Sequence, residues 1–395
     1  MADLLVVAGE ASGDRAAAAV VARLADPTSG VRAFGMGGAA LQASGMELVA
    51  DLRDTTALGI GEVAAHLYAI ARAHRRILAA ADRRRPRAAL LVNYCEYNAR
   101  LAPSLVARGI PVLWYGAPQI WAWRPGRAET LRRSVDRMAV MLPFEEALWR
   151  GHGVDAHYVG HPSREVRLRS REEARALLGL TPQAPCVAIM PGSRPHEVRR
   201  LLLPMLEGYD LLRRDRATLD ARVLLAASLD ARTRKDAAAL ACSMRIGLHE
   251  VDAREGAPGV LPAFDATLCA SGTASLEAAL SRAIPIVAYK VGLATELVAR
   301  ALVHAPFVAL PNVLLGRPAF SELLQRDVQP RRFAHELARA LDGRRRLVET
   351  CQEVEQALGP ERTPSQQVVK LLLPWLADRA QSDRAAAWAS AAGPT

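Results

Sequence analysis

The chain has 395 residues, of which 51% are hydrophobic and 23% are charged. This composition is that of a folded globular chain and excludes extensive disorder, and the length is sufficient for two domains of ordinary size. No apolar run approaches the roughly 18 to 20 residues that a membrane-spanning helix needs. The early acidic residues do not fit a secretory signal, so we expect a cytoplasmic protein. Five scattered cysteines, none in a C-x-x-C pair, indicate neither a disulfide framework nor a zinc site.

The net charge is +10, from 51 basic and 41 acidic residues. Such an excess is compatible with a phosphate-bearing ligand, an anionic lipid surface or RNA. Only three of the basic residues are lysines, and alanine is abundant. GC-rich coding produces both biases without selection for a ligand. The motifs therefore have to decide among these partners.

In the first half of the chain, short apolar strands alternate with helices. Strands are predicted over residues 4–8, 31–34, 88–92 and 111–115, and the first helix over 16–24. Purely apolar strands that alternate with helices indicate a parallel sheet covered on both faces. Ligands bind such sheets at the carboxyl ends of the strands.

The same pattern restarts near residues 162–172. Strands are predicted over 186–190, 222–226, 266–269 and 284–288, and helices over 170–178, 198–213, 332–341, 347–358 and 365–376. We therefore predict an α/β fold of two doubly wound Rossmann-like parallel-sheet domains facing a cleft, the default place for a ligand. The predicted parts are an N-terminal domain over 1–165, a second domain over 170–345, C-terminal helices over 346–378 and a disordered tail over 381–395.

The first glycine turn contains Gly9, Glu10, Gly13 and Asp14. Its backbone N–H groups, at the start of a helix, could face an anion or a sugar hydroxyl. The spacing is not the G-x-G-x-x-G of dinucleotide sites, and the two carboxylates would repel a pyrophosphate. The structural alternative is that Gly13 allows the turn while Asp14 or Ser12 caps the helix.

Two later turns suit a nucleotide diphosphate better. The first contains Gly192, Ser193 and Arg194, and the second contains Ser271, Gly272 and Thr273, with Glu277 in the following helix. The arginine offers a planar fork for phosphate oxygens, and the glutamate could accept both hydroxyl protons of a ribose. Together these turns predict a site for a diphosphonucleoside, and simple helix capping at both places is the alternative.

Three tryptophans lie close together in the stretch 114–124, at the end of a predicted strand. Trp121 and Arg124 are our candidates for contact with a sugar ring or an acyl chain and with phosphate. Packing in a domain core or a hinge is the alternative.

The stretch 63–76 has the pattern of an interfacial helix. It places apolar side chains near one face and basic ones at its end, which suits an anionic bilayer surface. The candidate membrane contacts are Val63, Leu67, Tyr68, Ile70, Arg72, Arg75 and Arg76. Helices of this length more often cover a protein core, and that is the alternative.

Eight motifs follow one another in a characteristic order. They are A-G-E-A-S-G-D over 8–14, W-A-W-R over 121–124, P-F-E over 143–145, G-H-P over 160–162, P-G-S-R over 191–194, A-S-G-T-A-S-L-E over 270–277, A-Y-K over 288–290, and L-P-N over 310–312 with G-R at 316–317. As a set they resemble the lipid-A-disaccharide synthase family of GT-B glycosyltransferases, glycosyltransferase family 19. The resemblance runs from about residue 4 to residue 375.

The resemblance implies an enzyme of lipid A and lipopolysaccharide biosynthesis. In the implied reaction, UDP-2,3-diacylglucosamine is joined to 2,3-diacylglucosamine 1-phosphate (lipid X) and UDP is released. The resemblance further implies inversion at the anomeric carbon and a reaction without a metal or other cofactor. It also implies peripheral attachment to the inner face of the inner membrane. The C-terminal helices are expected to pack back on the N-terminal domain or to be exchanged in a homodimer.

By the same resemblance, Arg194 holds the diphosphate, the 271–273 turn and Glu277 hold phosphate and ribose, and Asn312 lines the nucleotide site. A base takes the proton of the acceptor's 6-hydroxyl as that oxygen attacks C1 of the donor sugar. Arg194 and the adjacent helix N-terminus stabilise the departing UDP.

One departure from the family pattern concerns the base. The family usually reads Asp-x-Pro-Asp-Phe-Asn after the third strand, with the first aspartate as the favoured base, whereas this chain has Asn93 there. We keep Asn93 as a candidate sugar contact, because an amide cannot accept a proton as a carboxylate does. Glu96 retains the second carboxylate and Glu10 lies at the same sheet edge, so either is a candidate base. Loss of a positioned base typically costs about 10² to 10⁴ in rate.

Several alternatives stay open at this point. One is a membrane-associated UDP-sugar binder whose turnover Asn93 has abolished, and another is a relative that uses a different UDP-sugar and lipid acceptor. The hypothesis of a nicotinamide dehydrogenase is supported by the doubly wound halves alone, and the chain lacks the G-x-G-x-x-G fingerprint of such enzymes. RNA binding would need a continuous basic face with exposed aromatics, and nucleic acid is not among the expected partners.

Overall fold

The computed structural model describes residues 2–25, 30–51, 63–292 and 305–377, so the predicted tail over 381–395 lies outside the described residues. The chain divides into two compact units. The first comprises Met1–Pro118, Gly126–Gly160 and Arg362–Thr395, and the second comprises Gln119–Pro125 and His161–Glu361.

The first unit is built on a parallel sheet of seven strands, counted over the described residues. The strands are β1 (Ala2–Ala8), β2 (Val31–Gly37), β3 (Glu47–Asp51), β4 (Ala88–Val92), β5 (Val112–Tyr115), β6 (Arg137–Val140) and β7 (Ala156–Tyr158). The helices are α1 (Ala11–Leu24), α2 (Ala39–Ala43), α3 (Val63–Arg84), α4 (Cys95–Val106), α5 (Arg127–Arg132), α6 (Pro143–Gly151) and, near the C-terminus, α14 (Pro364–Leu376). The spatial order β3-β2-β1-β4-β5-β6-β7 reverses between β1 and β4, which opens a crevice at their carboxyl ends.

The second unit repeats this arrangement with six described strands. They are β8 (Cys186–Met190), β9 (Asp220–Leu225), β10 (Gly247–Glu250), β11 (Ala266–Ala270), β12 (Ile284–Tyr289) and β13 (Glu322–Leu324). The helices are α7 (Arg171–Leu178), α8 (Pro195–Asp215), α9 (Ala231–Ser243), α10 (Thr273–Leu280), α11 (Leu310–Leu315), α12 (Pro330–Asp342) and α13 (Arg344–Ala357). The order β10-β9-β8-β11-β12-β13 reverses between β8 and β11.

The predicted fold class is confirmed, because both units are α/β and their described strands pair in parallel. The central strands β4, β5, β8 and β11 are buried along their whole length, as expected of apolar strands with helices on both faces. The sequence analysis missed β3, β6, β7, β10 and β13. These strands are short and include polar residues such as Arg137 and His249, so no apolar run marks them. The predicted cleft stays a prediction.

The C-terminal helices, grouped in the sequence analysis over 346–378, divide between the two units. α13 packs on α10 and α11 within the second unit, with Cys351 and Val354 buried. α14 returns to the first unit and packs on α1, where Val368 and Leu372 join the core. Each helix packs through its own apolar face, and the sequence analysis placed both helices in one group. Exchange of C-terminal elements between two chains stays a prediction.

Candidate functional site

The first candidate site lies at the reversal of strand order in the first unit. β1 and β4 pair in register to their last residues. The backbone then turns through Asn93 and Tyr94, both in the left-handed conformation with φ of 48° and 44°. The Asn93 N–H donates to the Tyr115 carbonyl at 2.9 Å, and Asn98 Nδ2 donates to the Asn93 carbonyl at 2.8 Å. Strained backbone of this kind clusters at functional sites.

Three glycines make room for the side chains of this turn. A Cβ atom on Gly116, whose φ is 81°, would lie 2.0 Å from Asn93 Oδ1. A Cβ atom on Gly13 would lie 3.4 Å from Asn93 Nδ2, and one on Gly9 would lie 2.0 Å from the ring of Tyr94. The side chain of Asn93 therefore lies between Gly13 and Gly116, so the first glycine turn helps to position it.

Both candidate bases lie at this edge of the sheet. Glu10 is the N-terminal cap residue of α1, and Glu96 lies in the first turn of α4. Glu96 forms an ion pair with Arg127, the first residue of α5. Burial raises the pKa of the Cys95 thiol to about 12, and the charges of Glu10 and Glu96 add to the rise while Arg127 opposes it. The structure therefore brings the two predicted carboxylates, the thiol and the guanidinium into one cluster.

The structure places Asp14, a predicted sugar contact, against the start of α2. Its side chain is almost completely buried, and its carboxylate accepts the N–H groups of Gly38 at 2.7 Å, Ala40 at 3.0 Å and Leu41 at 3.4 Å. Burial raises the pKa of this carboxyl group, and the three backbone hydrogen bonds oppose the rise. These donors occupy both oxygens. Asp14 thus caps α2 from its place inside α1, and its contact with a sugar stays a prediction.

The second candidate site lies at the reversal of strand order in the second unit. Gly192, which follows β8, has a φ of 123°, a conformation that favours glycine. The carboxylate of Glu197 accepts the N–H groups of Ser193 at 3.0 Å and Arg194 at 3.2 Å. The guanidinium of Arg194 lies 3.6 Å from the same carboxylate and is 52% exposed. Glu197 thus holds the turn, and the Arg194 side chain is accessible to a ligand.

The matching turn follows β11. Gly272 has a φ of 130° and caps α10. The Ser271 hydroxyl donates to the Val308 carbonyl at 2.8 Å, so towards a ligand its oxygen acts as an acceptor. Glu277 is almost completely buried one turn into α10. Burial raises the pKa of the Cys269 thiol on β11, and the charge of Glu277 adds to that rise. The predicted ribose contact of Glu277 stays a prediction.

A cavity of about 70 Å³ lies between these two turns. Its lining includes Arg194, His196, Glu197, Ser271, Tyr289 and Lys290, from the ends of β8, β11 and β12. Three basic groups and a partly exposed aromatic ring suit an anionic ligand with a planar group, such as a nucleoside phosphate. The sequence analysis did not select His196, Glu197, Tyr289 or Lys290 as site residues. Their position directly after two predicted strands was the signal that could have found them.

The structure places Asn312, a predicted nucleotide contact, against the segment 319–322. It is completely buried on α11. Its Nδ2 donates to the Phe320 carbonyl at 2.9 Å and to Glu322 Oε1 at 2.8 Å, and its Oδ1 accepts the N–H groups of Ala319 at 3.0 Å and Phe320 at 2.9 Å. A primary amide has two N–H donors and two lone pairs, so the amide is saturated. Asn312 thus holds the segment 319–322, and its contact with the nucleotide stays a prediction.

α3 presents a basic face to solvent. The exposed side chains on this face are Tyr68, Arg72, Arg75 and Arg76. Ile70, predicted to contact a membrane, is partly buried and lies in line with the buried Ile77, and its membrane contact stays a prediction. The side chains of Val63 and Leu67 lie outside the description. None of the helices described is long and apolar enough to cross a bilayer.

The tryptophan-rich stretch divides between the two units. Trp114 is completely buried in β5 of the first unit. Trp121 is half-buried in the segment Gln119–Pro125, which belongs to the second unit. The exposed Arg124 lies 4.4 Å from the centre of the Trp123 ring. The contacts of Trp121 and Arg124 with a sugar or a lipid stay predictions.

Comparison with known proteins gives a family match over nearly the whole chain. The sequence profile of lipid-A-disaccharide synthetase matches residues 4–371. The lipid-A-disaccharide synthase of Anaeromyxobacter dehalogenans strain 2CP-C is 41% identical over 365 residues, which cover 91% of this chain and 94% of that protein. The lipid-A-disaccharide synthase of Myxococcus xanthus is 43% identical over 339 residues, which cover 85% of this chain and 87% of that protein.

Solved structures with low sequence identity share the fold. The UDP-GlcNAc 2-epimerase of Neisseria meningitidis, bound to UDP-GlcNAc, superposes with a TM-score of 0.63 at 11% identity and covers 94% of this chain and 100% of that chain. MurG of Acinetobacter baumannii superposes with a TM-score of 0.56 at 14% identity and covers 95% of this chain and 100% of that chain. At these identities the likeness shows the fold alone.

Proposed function

The chain belongs to the lipid-A-disaccharide synthetase family and is a glycosyltransferase of lipid A disaccharide formation, and from this premise we propose how its two units divide the reaction. The second unit holds the donor, UDP-2,3-diacylglucosamine. The first unit holds the acceptor, 2,3-diacylglucosamine 1-phosphate, and supplies the base. The acceptor's 6-hydroxyl attacks C1 of the donor sugar and UDP leaves, so the anomeric carbon is inverted without a covalent enzyme intermediate.

The basic cavity of the second unit is the observation that carries the donor assignment. A diphosphate diester bears two negative charges, and Arg194 and Lys290 face this cavity with cationic groups. The N-termini of α8 and α10 add positive potential at the same edge. Because Glu197 occupies the N–H groups of the 192–194 turn, the basic side chains supply most contacts to the phosphates. Tyr289 offers its ring to the uracil base.

The polar cluster of the first unit supports the base assignment. Glu10 or Glu96 removes the proton of the acceptor hydroxyl. Glu96 has to separate from Arg127 to act, because the ion pair engages its carboxylate. Asn93, held between two glycines, can donate and accept hydrogen bonds and orients the hydroxyl for attack.

The exposed face of α3 supports attachment to the inner face of the inner membrane. Both substrates carry acyl chains, so a protein that rests on the bilayer meets them where they dissolve. An arginine near an anionic surface contributes about 1 kcal/mol. We expect Arg72→Glu, Arg75→Glu and Arg76→Glu together to abolish co-sedimentation with phosphatidylglycerol-containing vesicles. Arg331→Glu, Arg332→Glu and Arg339→Glu make the same charge change on the second unit, and an equal loss there would contradict the assignment to α3.

The reaction is tested with purified protein, both substrates and detergent micelles, by following disaccharide and UDP. We expect one disaccharide for each UDP released. UDP binding without any disaccharide would contradict the transfer reaction and leave a UDP-sugar binder.

The division between the units is tested by kinetics. We expect Lys290→Met and Tyr289→Ala to raise KM for the donor about tenfold and to leave KM for the acceptor unchanged. A change confined to the acceptor would contradict the placement of the donor in the second unit. The homodimer with exchanged C-terminal elements is tested by light scattering of the same preparation.

A further inference from the structure

We infer that His196 is a ligand of the donor's diphosphate and that it takes up a proton when the nucleotide binds. The inference rests on the donor site proposed in the second unit. It adds a residue that the motifs did not single out, and it gives nucleotide binding a specific dependence on pH.

The position of His196 is the first ground for this inference. It is the second residue of α8 and lines the cavity together with Arg194 and Lys290. Its side chain is half-buried, so it faces the cavity without being enclosed in the core. A ligand that fills the cavity therefore meets the imidazole as well as the guanidinium and the ammonium group.

The charges around His196 are the second ground. Several titratable and charged groups lie near it. They are Arg194, the N-cap residue of α8, then Glu197, Arg199 and Arg200 on α8, and Tyr289 and Lys290 at the end of β12. Cations outnumber the one carboxylate in this set. Burial, followed by the charges of Arg194, Arg200 and Arg199, lowers the pKa of His196. The imidazole is therefore neutral at neutral pH when the cavity holds no anion.

A bound diphosphate reverses the excess of positive charge around His196. Opposite charge within about 4–6 Å favours the charged form of a titratable group. The imidazole then takes a proton from the buffer and donates a charge-assisted hydrogen bond to a phosphate oxygen. Negative charge grows on the β-phosphate as the C1–O bond breaks, so the imidazolium stabilises the departing UDP. The proton returns to the buffer when UDP dissociates.

The sign of the pH effect follows from linkage. The complex binds more protons than the free protein, so affinity rises as the pH falls. We expect the contribution of His196 to tighten UDP binding by about three- to tenfold between pH 8 and pH 6. His196→Gln loses this contribution at pH 6 and differs little from the wild type at pH 8.

The test is titration calorimetry of UDP binding to the full chain in buffers of different ionisation enthalpy. The terminal phosphate of UDP also titrates in this range, so wild type and variants are compared with the same ligand. His249→Gln is the matched control, because burial also lowers the pKa of His249 but it lies on β10 and does not line the cavity. We expect wild type and His249→Gln to take up a substantial fraction of a proton more than His196→Gln.

A second variant separates charge from folding. His196→Lys carries a permanent charge, so we expect it to bind UDP at pH 8 at least as tightly as the wild type. Its proton uptake on binding should be as small as that of His196→Gln. Equal proton uptake in wild type and His196→Gln, with UDP bound to both, would overturn the inference alone. No UDP binding to the wild type would overturn the donor site and the inference with it.

Discussion

The side-chain amide of Asn312 donates a hydrogen bond of 2.8 Å to the carboxylate of Glu322. The same carboxylate accepts the backbone N–H groups of Val308 at 3.1 Å and Ala309 at 3.0 Å. The Val308 carbonyl in turn accepts the hydroxyl of Ser271 at 2.8 Å. A saturated amide on α11 is thereby linked to a turn that lines the donor cavity. Asn312 therefore supports the proposed nucleotide site by holding its neighbours in place.

Asn312→Ala removes four hydrogen bonds and leaves buried polar groups unsatisfied. We expect the free energy of unfolding to fall by about 2–4 kcal/mol, measured by urea denaturation. Gln352→Ala, which removes an exposed amide on α13, should change it by less than about 0.5 kcal/mol. Loss of UDP binding at unchanged stability would show instead that Asn312 contacts the nucleotide.

Arg194→Ala removes the accessible guanidinium of the donor cavity. We expect kcat/KM for the donor to fall by about 10- to 100-fold, because a hydrogen bond to a charged group contributes about 1.5–3 kcal/mol. Arg194→Lys should recover part of the loss, since it keeps the charge without the planar fork. Arg214→Ala is the control at the far end of the same helix. Steady-state kinetics in both substrates measure the effect, and an equal loss in the control would argue against a local role.

The two candidate bases are separated by Glu10→Gln and Glu96→Gln. Replacement of the base should lower kcat by about 10² to 10⁴ with little change in KM. The other replacement should leave most of the activity. Glu129→Gln, on the exposed surface of α5, controls for loss of a carboxylate. Full activity in both Glu10→Gln and Glu96→Gln would mean that neither is the base.

Gly116→Ala tests whether the placement of Asn93 matters. The new Cβ atom would lie 2.0 Å from Asn93 Oδ1, so the side chain has to move. Gly109→Ala is the control, because Gly109 has a similar positive φ of 70° and a Cβ atom there would have no atom within 4 Å. It therefore measures only the loss of stability from backbone strain, about 1 kcal/mol. We expect both variants to lose stability in urea but only Gly116→Ala to lose kcat, with UDP binding unchanged. Equal kcat in the two would remove Asn93 from the reaction.

Buried His161 should make the stability of the protein depend on pH. Its Nδ1 accepts the N–H of Ser163 at 3.2 Å, and burial lowers its pKa from 6.5 to about 4. The unfolded chain binds the proton first, so the stabilisation is complete above pH 6.5 and is lost as the pH falls towards 4. We expect a loss of about 3 kcal/mol over this range, measured by urea denaturation. His161→Gln should flatten the dependence while His152→Gln, which is exposed, should not.

Local sequence patterns were enough to predict the central strands and the turns beside them. β4 and β8 have their predicted bounds because five consecutive apolar residues fit a strand that is buried on both faces. Gly192 and Gly272 mark turns whose positive φ favours glycine, so the sequence signal is again local. The edge strands and the internal β6 escaped prediction because they are short and include polar or partly solvated side chains.

By itself the sequence determined the two doubly wound units, the sheet edges that carry the candidate sites, and the family to which the chain belongs. The tertiary structure decided which polar side chains remain available for chemistry. The carboxylate of Asp14 accepts backbone N–H groups at the start of α2, and the amide of Asn312 is saturated by residues 319–322. His196 and Lys290, in contrast, line the cavity although neither was selected. The reason is that hydrogen-bond capacity is finite, and which groups fill it depends on contacts that no local pattern records.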